Sequence, residues 1–238
     1  MNNVRTVSDT KRAFYSTHTR PINSIYRRVV EELMVEMHLL SVNANFRYNS
    51  IYALGFVTSF DRFMLGYRPE QDLTSIFSAL CTATDADTAQ YRQDAQQILD
   101  EAASVSLDQL TAFAASGDSI DGAPQLTKAL QQVAGDEQFK YSRLWAIGLY
   151  TAIEAIDSAT AEDAEKLQAV LQPLCDRLGV TFGKIQKDLD IYRSNLEKLE
   201  QARVVMEDIL KADRKKREQR QTAVSSESPA EPNAEAQT

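Results

Sequence analysis

The stretch NSIYALGFVTSFDRFMLGYRP, residues 49–69, decides the fold that the sequence predicts. Between Ile51 and Leu65 nearly every residue is apolar, small or a hydroxyl. A helix that is apolar nearly all round is a buried central helix. The stretch is too short to span a membrane, and Asp61 and Arg62 within it would be costly in lipid. Because neighbouring residues point about 100° apart on a helix, we expect each charge to meet a partner on another helix or at the surface.

Residues typical of helix ends bracket this segment. Asn49 or Ser50 can cap its start, and Gly66 lies just beyond its end. Before it, apolar residues at helical spacing predict an amphipathic helix over residues 22–40, with Thr19 as its N-cap. These two helices form the base of a predicted helical body.

Shorter helices are predicted farther along the chain. The sequence SLDQ at Ser106–Gln109 is a capping box, and Pro124 opens another helix. A more apolar helix is predicted over 139–156, and Pro173 is expected to kink or end the helix that starts at Thr160. Only 8 Gly and 6 Pro punctuate the chain, and no run alternates as half-buried strands do. The predicted fold class is therefore all-α.

The last predicted helix has a heptad pattern. Its apolar residues recur at alternating steps of 3 and 4: Phe182, Ile185, Leu189, Tyr192, Leu196 and Leu199, then Met206 and Leu210, with Arg203 as the one break. This predicts a globular helical body over 1–179 and a long coiled-coil helix over 180–221 that projects from it. The seam could pair within the chain, with a second copy or with another protein. Residues 222–238 hold no aromatic side chain and are predicted to be a disordered tail.

Charge is distributed unevenly along the chain. The net charge is −8 overall, but residues 211–220 carry six basic and two acidic residues. That basic run can be a solvated helix end, a patch for anionic lipid or a docking site for an acidic partner. Nucleic acid is disfavoured by the overall negative charge. The candidate partner-binding residues are Arg203, Lys211, Arg214, Lys215, Lys216 and Arg217.

The sequence offers little for catalysis. The two cysteines, Cys81 and Cys175, lie among apolar residues as buried free thiols do, and the two histidines, His18 and His38, lack the spacing of a metal site. No phosphate loop, nucleophile elbow or dinucleotide fingerprint is present. We therefore predict no catalytic, cofactor-binding or metal-binding residues and no enzymatic activity. The N terminus has no apolar run, so no signal peptide is expected.

Five long segments of this chain resemble, in order, the thylakoid-formation family, also called the photosystem II biogenesis protein family. They are TVSDTKRAFYSTHTRPINSIYRRVVEELMVEMHLLSVN, YALGFVTSFDRFMLGYRPE, KYSRLWAIGLY, KDLDIYRSNLEKLEQA and ADRKKREQRQ. The resemblance runs from about residue 4 to 221 and is weakest over about 82–135. Because it starts close to Met1, it points to a cyanobacterial form that needs no import.

The resemblance implies an all-helical, non-enzymatic accessory factor in photosystem II biogenesis and repair. It also implies peripheral contact with the cytoplasmic side of the thylakoid membrane, without a transmembrane segment. Expected partners are a membrane-anchored AAA metalloprotease of the FtsH type, photosystem II assembly intermediates and, through the last helix, a second copy. The alternative is a pigment, quinone or lipid carrier with an apolar pocket beside Phe60, Phe63 and Tyr67.

Overall fold

The structure is a computed structural model that describes residues 5–226, except for the side chains of residues 210, 213, 216, 217 and 220–226. Over this range the chain forms helices and no strand, which confirms the all-α class. The helices are α1 (Val7–Thr17), α2 (Ser24–Ser41), α3 (Ser50–Phe63), α4 (Gln71–Ala83), α5 (Thr88–Ala102), α6 (Leu107–Ser116), α7 (Pro124–Ala134), α8 (Arg143–Ile156), α9 (Ser158–Glu162), α10 (Ala164–Leu178) and α11 (Phe182–Ser226).

The chain divides into two compact units, Met1–Leu196 and Glu197–Thr238. The first holds α1 to α10 with the first turns of α11, and the second holds the rest of α11. The helix continues to Ser226, beyond the predicted end at residue 221. The remainder of the predicted disordered tail, residues 227–238, lies outside the described residues.

Two helices, α3 and α8, form the centre of the first unit. In α3 the ten consecutive residues Ile51 to Phe60 are all buried, and in α8 the ten from Leu144 to Ile153 are buried as well. This burial on every side explains why the apolar residues of α3 follow no single stripe. The prediction of a buried central helix is confirmed.

The two central helices meet through a pair of glycines. A Cβ atom added to Gly55 would lie 1.7 Å from the backbone oxygen of Leu144. A Cβ atom added to Gly148 would lie 1.8 Å from the backbone oxygen of Ile51. Each glycine therefore faces the main chain of the other helix about one turn before the opposing glycine. No side chain lies between the two backbones at this point. Only glycine allows this close approach of two backbones.

The other helices pack around this pair. Helix α5 packs on α3 and α8, while α1 packs on α4 and α2. Helix α10 contacts α6, α7 and α9. Where α3, α4 and α5 meet, Phe56 and Phe60 both pack against Phe77, and the guanidinium of Arg92 lies 4.0 Å from the centre of the Phe77 ring. Such cation–π contacts add modestly to aromatic packing.

Several predicted helix ends are confirmed. Asn49 caps α3 by accepting a hydrogen bond from the backbone N–H of Ile51. Ser106 and Gln109 form the predicted capping box of α6, and Pro124 is the first residue of α7. These signals are local, so the sequence alone is enough to find them.

Three predicted boundaries are wrong. Helix α2 is capped by Asn23 rather than Thr19, because the Asn23 side chain accepts the N–H of Ile25. Helix α8 starts only after Ser142, whose hydroxyl accepts the N–H of Trp145, so residues 139–142 are not helical. The helix predicted from Thr160 is two helices, α9 and α10.

Helix α10 passes through Pro173 and ends at Leu178, with Gly179 as its C-cap. A proline inside a helix removes one backbone hydrogen bond. Here the helix continues because Leu171, Leu174 and Leu178 bury the same face in the core. Packing of an apolar face outweighs the local cost of the proline.

Two helices receive N-terminal hydrogen bonds from glutamates on other helices. Glu101 of α5 accepts the backbone N–H groups of Gln125 and Leu126 at the start of α7. Helix α7 has no side-chain cap of its own, because Ala123 occupies the N-cap position. In the same way Glu36 of α2 accepts the N–H of Leu144 in the first turn of α8. Carboxylates at helix N-termini also face the favourable end of the helix dipole.

We expect Gly148→Ala to destabilise the protein by about 3 kcal/mol or more, because the clash is with backbone that cannot rotate away. Urea unfolding followed by circular dichroism measures the loss. The matched control is Gly183→Ala in α11, where an added Cβ would meet nothing within 4 Å. Equal stabilities of Gly148→Ala and the control would show that the helices do not meet as described.

Cys81 and Cys175 are both buried and free, as predicted. Burial raises the pKa of each thiol to about 11. A thiol that is both protonated and inaccessible reacts slowly. We expect Ellman's reagent at pH 8 to modify neither cysteine in the native protein and both in guanidinium chloride. Fast reaction of either thiol without denaturant would contradict the packing around it.

Candidate partner-binding surface

The predicted partner-binding residues all lie on α11, in the second unit. Arg203 forms an ion pair with Glu200 at 2.8 Å, and its side chain is 27% exposed. The Nζ of Lys211 lies 3.9 Å from a carboxylate oxygen of Asp208. An ion pair between residues three apart on an exposed helix stabilises the helix by only a few tenths of a kcal/mol.

The charges farther along this helix are more open. Arg214 pairs with Glu218 at 3.0 Å while its side chain stays 83% exposed, and Lys215 is exposed. The other two candidate residues are Lys216 and Arg217, whose side chains lie outside the described part of the chain. Exposed pairs of this kind contribute little to stability, so these basic groups remain available to a partner.

Exposed apolar side chains stand beside these charges, and the sequence analysis missed them. Val204, Val205 and Ile209 are 50%, 58% and 57% exposed. They lie off the predicted heptad seam, which runs through Leu199 and Met206. Val205 and Ile209 are four residues apart and share one face of the helix. A search for a second apolar face in the sequence QARVVMEDIL would have found them.

The first half of the predicted heptad seam is used within the chain. Ile185, Leu189 and Tyr192 are 0%, 2% and 2% exposed and belong to the core of the first unit. Burial raises the pKa of Tyr192 to about 12, although nearby Arg62 favours its ionised form. These three positions therefore pair neither with a second copy nor with another protein. For the residues after Leu196, coiled-coil pairing stays a prediction.

Asp61 and Arg62 line a cleft between α3, α5 and α8 that has a volume of about 340 Å³. Asp61 accepts a hydrogen bond from Arg92 of α5 at 2.6 Å. Arg62 donates to Glu154 of α8. The expectation that each charge meets a partner on another helix is confirmed. Because all four charges are paired, the mouth of this cleft is neutral.

The residues predicted to line a carrier pocket are packed against other rings. Phe60 contacts Phe77, Phe63 contacts Tyr192, and Tyr67 contacts Tyr26, each edge to face. Phe60 and Tyr67 are each 1% exposed. These contacts are typical of a filled core. The carrier hypothesis stays a prediction without support from this packing.

Both histidines are buried and bonded to hydroxyl groups. His38 Nδ1 lies 2.8 Å from Thr10 Oγ1, and His18 Nδ1 lies 3.0 Å from Ser75 Oγ. In the described part of the chain, no three His, Cys, Asp or Glu side chains gather in a way that could hold a metal ion. Likewise, none of the helices found there has the length and apolarity that a bilayer crossing requires.

The fold and this surface define a class of protein: an all-helical body joined to a helix that presents charged and apolar side chains to solvent. The family model described as "Thylakoid formation protein" matches residues 6–221. The chain belongs to the thylakoid formation protein family, as the resemblance predicted.

Relatives in cyanobacteria are similar over nearly their whole length. The chain is 54% identical to Protein Thf1 of Nostoc punctiforme over 220 residues, covering 92% of this chain and 94% of the relative. It is 53% identical to Protein Thf1 of Gloeothece citriformis, covering 92% and 97%. A solved structure of Psb29 is 42% identical, covers 90% of this chain and 98% of its own, and superposes with a TM-score of 0.78. The fold described above is therefore shared with an independently solved relative.

We expect replacement of Val204, Val205 and Ile209 by serine to change the free energy of unfolding by no more than about 0.5 kcal/mol each, because exposed side chains contribute little to folding. Thermal unfolding by circular dichroism measures this. A loss of 2 kcal/mol or more at any of the three positions would show that the side chain is buried in the folded protein.

Proposed function

We propose that this protein is a non-enzymatic accessory factor in the biogenesis and repair of photosystem II and of the thylakoid membrane. Membership of the thylakoid formation protein family supports the pathway. The observation that carries the accessory role is the second unit, where basic and apolar side chains are exposed together on one helix. Exposed apolar groups rimmed by charge are typical of protein interaction sites.

The partners we propose are a membrane-anchored AAA metalloprotease of the FtsH type, photosystem II assembly intermediates, or both. Val205 and Ile209 would supply the apolar anchors of the contact, and Arg203, Lys211, Arg214 and Lys215 would orient it. A partner surface that fits must offer both acidic and apolar groups. Apolar anchors fix affinity, while peripheral charges chiefly raise the association rate.

The same basic residues support peripheral contact with the cytoplasmic face of the thylakoid membrane. A basic side chain near an anionic bilayer contributes about 1 kcal/mol. Several such residues hold a protein at the surface without inserting it. A membrane-bound protease and a nearby anionic surface would therefore engage the same helix together.

Charge reversal tests the contact surface. Tagged protein is purified from solubilised cyanobacterial thylakoid membranes, and the retained protease is measured. We expect a variant with four charge reversals to reduce protease recovery at least tenfold, because attraction between the helix and the protease becomes repulsion. The reversed residues are Arg203, Lys211, Arg214 and Lys215, each changed to Glu. A truncated chain that ends at Leu196 should show a similar loss of protease recovery. It keeps the core residues Ile185, Leu189 and Tyr192, which a cut near Gly179 would remove.

The matched control reverses four exposed basic residues of the first unit: Arg27, Lys128, Lys140 and Lys187. It changes the net charge by the same amount and should leave protease recovery unchanged. Equal losses in both variants would mean that net charge alone acts. Undiminished recovery with the charge-reversed helix would place the contact on the helical body and leave the helix for self-association.

A further inference from the structure

The N-terminal helix α1 is attached to the body by few buried groups. Of its eleven residues only Thr10 and Phe14 are buried. Its charged contacts lie at the surface, with Lys11 paired to Glu31 of α2 at 3.2 Å and both side chains well exposed. The partly buried Ala13 and Tyr15 add to this small apolar face, and the polar contacts of α1 contribute to how firmly it docks.

Both histidines of the chain take part in this docking. His38 of α2 shares a buried hydrogen bond with Thr10 of α1. His18 caps the C-terminal end of α1, and its ring shares a hydrogen bond with Ser75 of α4. Each ring therefore lies at a contact between α1 and a neighbouring helix. His18 has an environment that makes a proton costly.

His18 is 1% exposed, and its second ring nitrogen, Nε2, is buried with no hydrogen-bond partner. In the tautomer that carries its hydrogen on Nδ1 and donates it to Ser75, protonation adds an N–H at Nε2 that nothing accepts. The charged groups that face the ring are Asp72 of α4 and Arg20 of the loop after α1. Asp72 is itself buried and pairs with Arg20 at 2.7 Å. The carboxylate is thus already matched by one cation before His18 gains its own charge.

Burial lowers the pKa of His18 below its ordinary value of 6.5, and Arg20 adds to this, while Asp72 opposes it. A group whose pKa is lower in the docked state binds its proton more readily once released. Docking is therefore fully favourable above pH 6.5 and weakens as the pH falls below that value. Because α1 buries so little, its separation from the body is the least costly way to hydrate the protonated ring.

We propose that protonation of His18 releases α1 from the body, which makes the N-terminal helix a pH-sensitive cover over the faces of α2 and α4 that it contacts. The device is local. The central pair of α3 and α8 keeps its packing, because neither helix carries a histidine. The proposal is independent of the partner contact on α11.

Hydrogen exchange of the full chain at pH 7.5 and pH 5.5, with exchange times scaled for the intrinsic rates, tests the proposal. The protection factors of amides in α1 should fall by up to about tenfold, since one proton changes a docking equilibrium by at most tenfold per pH unit. Amides of α3 and α8 should keep theirs. Unchanged protection of α1, or an equal fall in all helices, would overturn the proposal.

Two variants identify the sensor. His18→Gln stays neutral and can still bond Ser75, so its α1 protection should be the same at both pH values. His38→Gln is the matched control and should keep the pH response. If His18→Gln fails to fold, a direct NMR titration of the His18 ring in the native chain decides. A pKa below 6.5 supports the proposal, and a value at or above 6.5 overturns it.

Discussion

The close contact between Gly55 and Gly148 is the constraint on which the first unit depends. A side chain at either position would occupy the main chain of the facing helix, so the two backbones can approach only through glycine. This contact sets how α3 and α8 pack, and the buried sides of both helices then fix where α5 and the first turns of α11 can lie. A glycine inside a helix costs about 1 kcal/mol relative to alanine, and the dense packing that it allows offsets this cost.

Much of this fold could be predicted, because its signals are local or periodic. The central position of α3 follows from its unbroken apolar circumference, and the start of α6 follows from its capping box. The role of Gly55 could not be predicted, since it depends on Gly148, which lies 93 residues later in the chain. That α10 does not end at Pro173 has a related reason: the buried face that carries the helix through the proline is a tertiary property.

The candidate surface was predicted in part. The basic residues from Lys211 onward are evident from composition, but their apolar neighbours Val205 and Ile209 are not, because the heptad pattern draws attention to another face. The residues of that heptad pattern also fall into two groups with different surroundings. Its first residues belong to the core of the first unit, and only the later ones are available beyond Leu196. A periodic stripe shows that a helix has an apolar face but does not tell which neighbour covers it.

The glutamates that cap α7 and α8 from other helices have a consequence for how the chain can be divided. Glu101 accepts backbone N–H groups in the first turn of α7, and Glu36 accepts one in the first turn of α8. Each helix is therefore capped by a carboxylate from an earlier part of the chain. A C-terminal fragment beginning after α5 would contain both helices but neither carboxylate. In complementation from two fragments, the N-terminal piece would supply both carboxylates, and synthesis on the ribosome also produces that piece first.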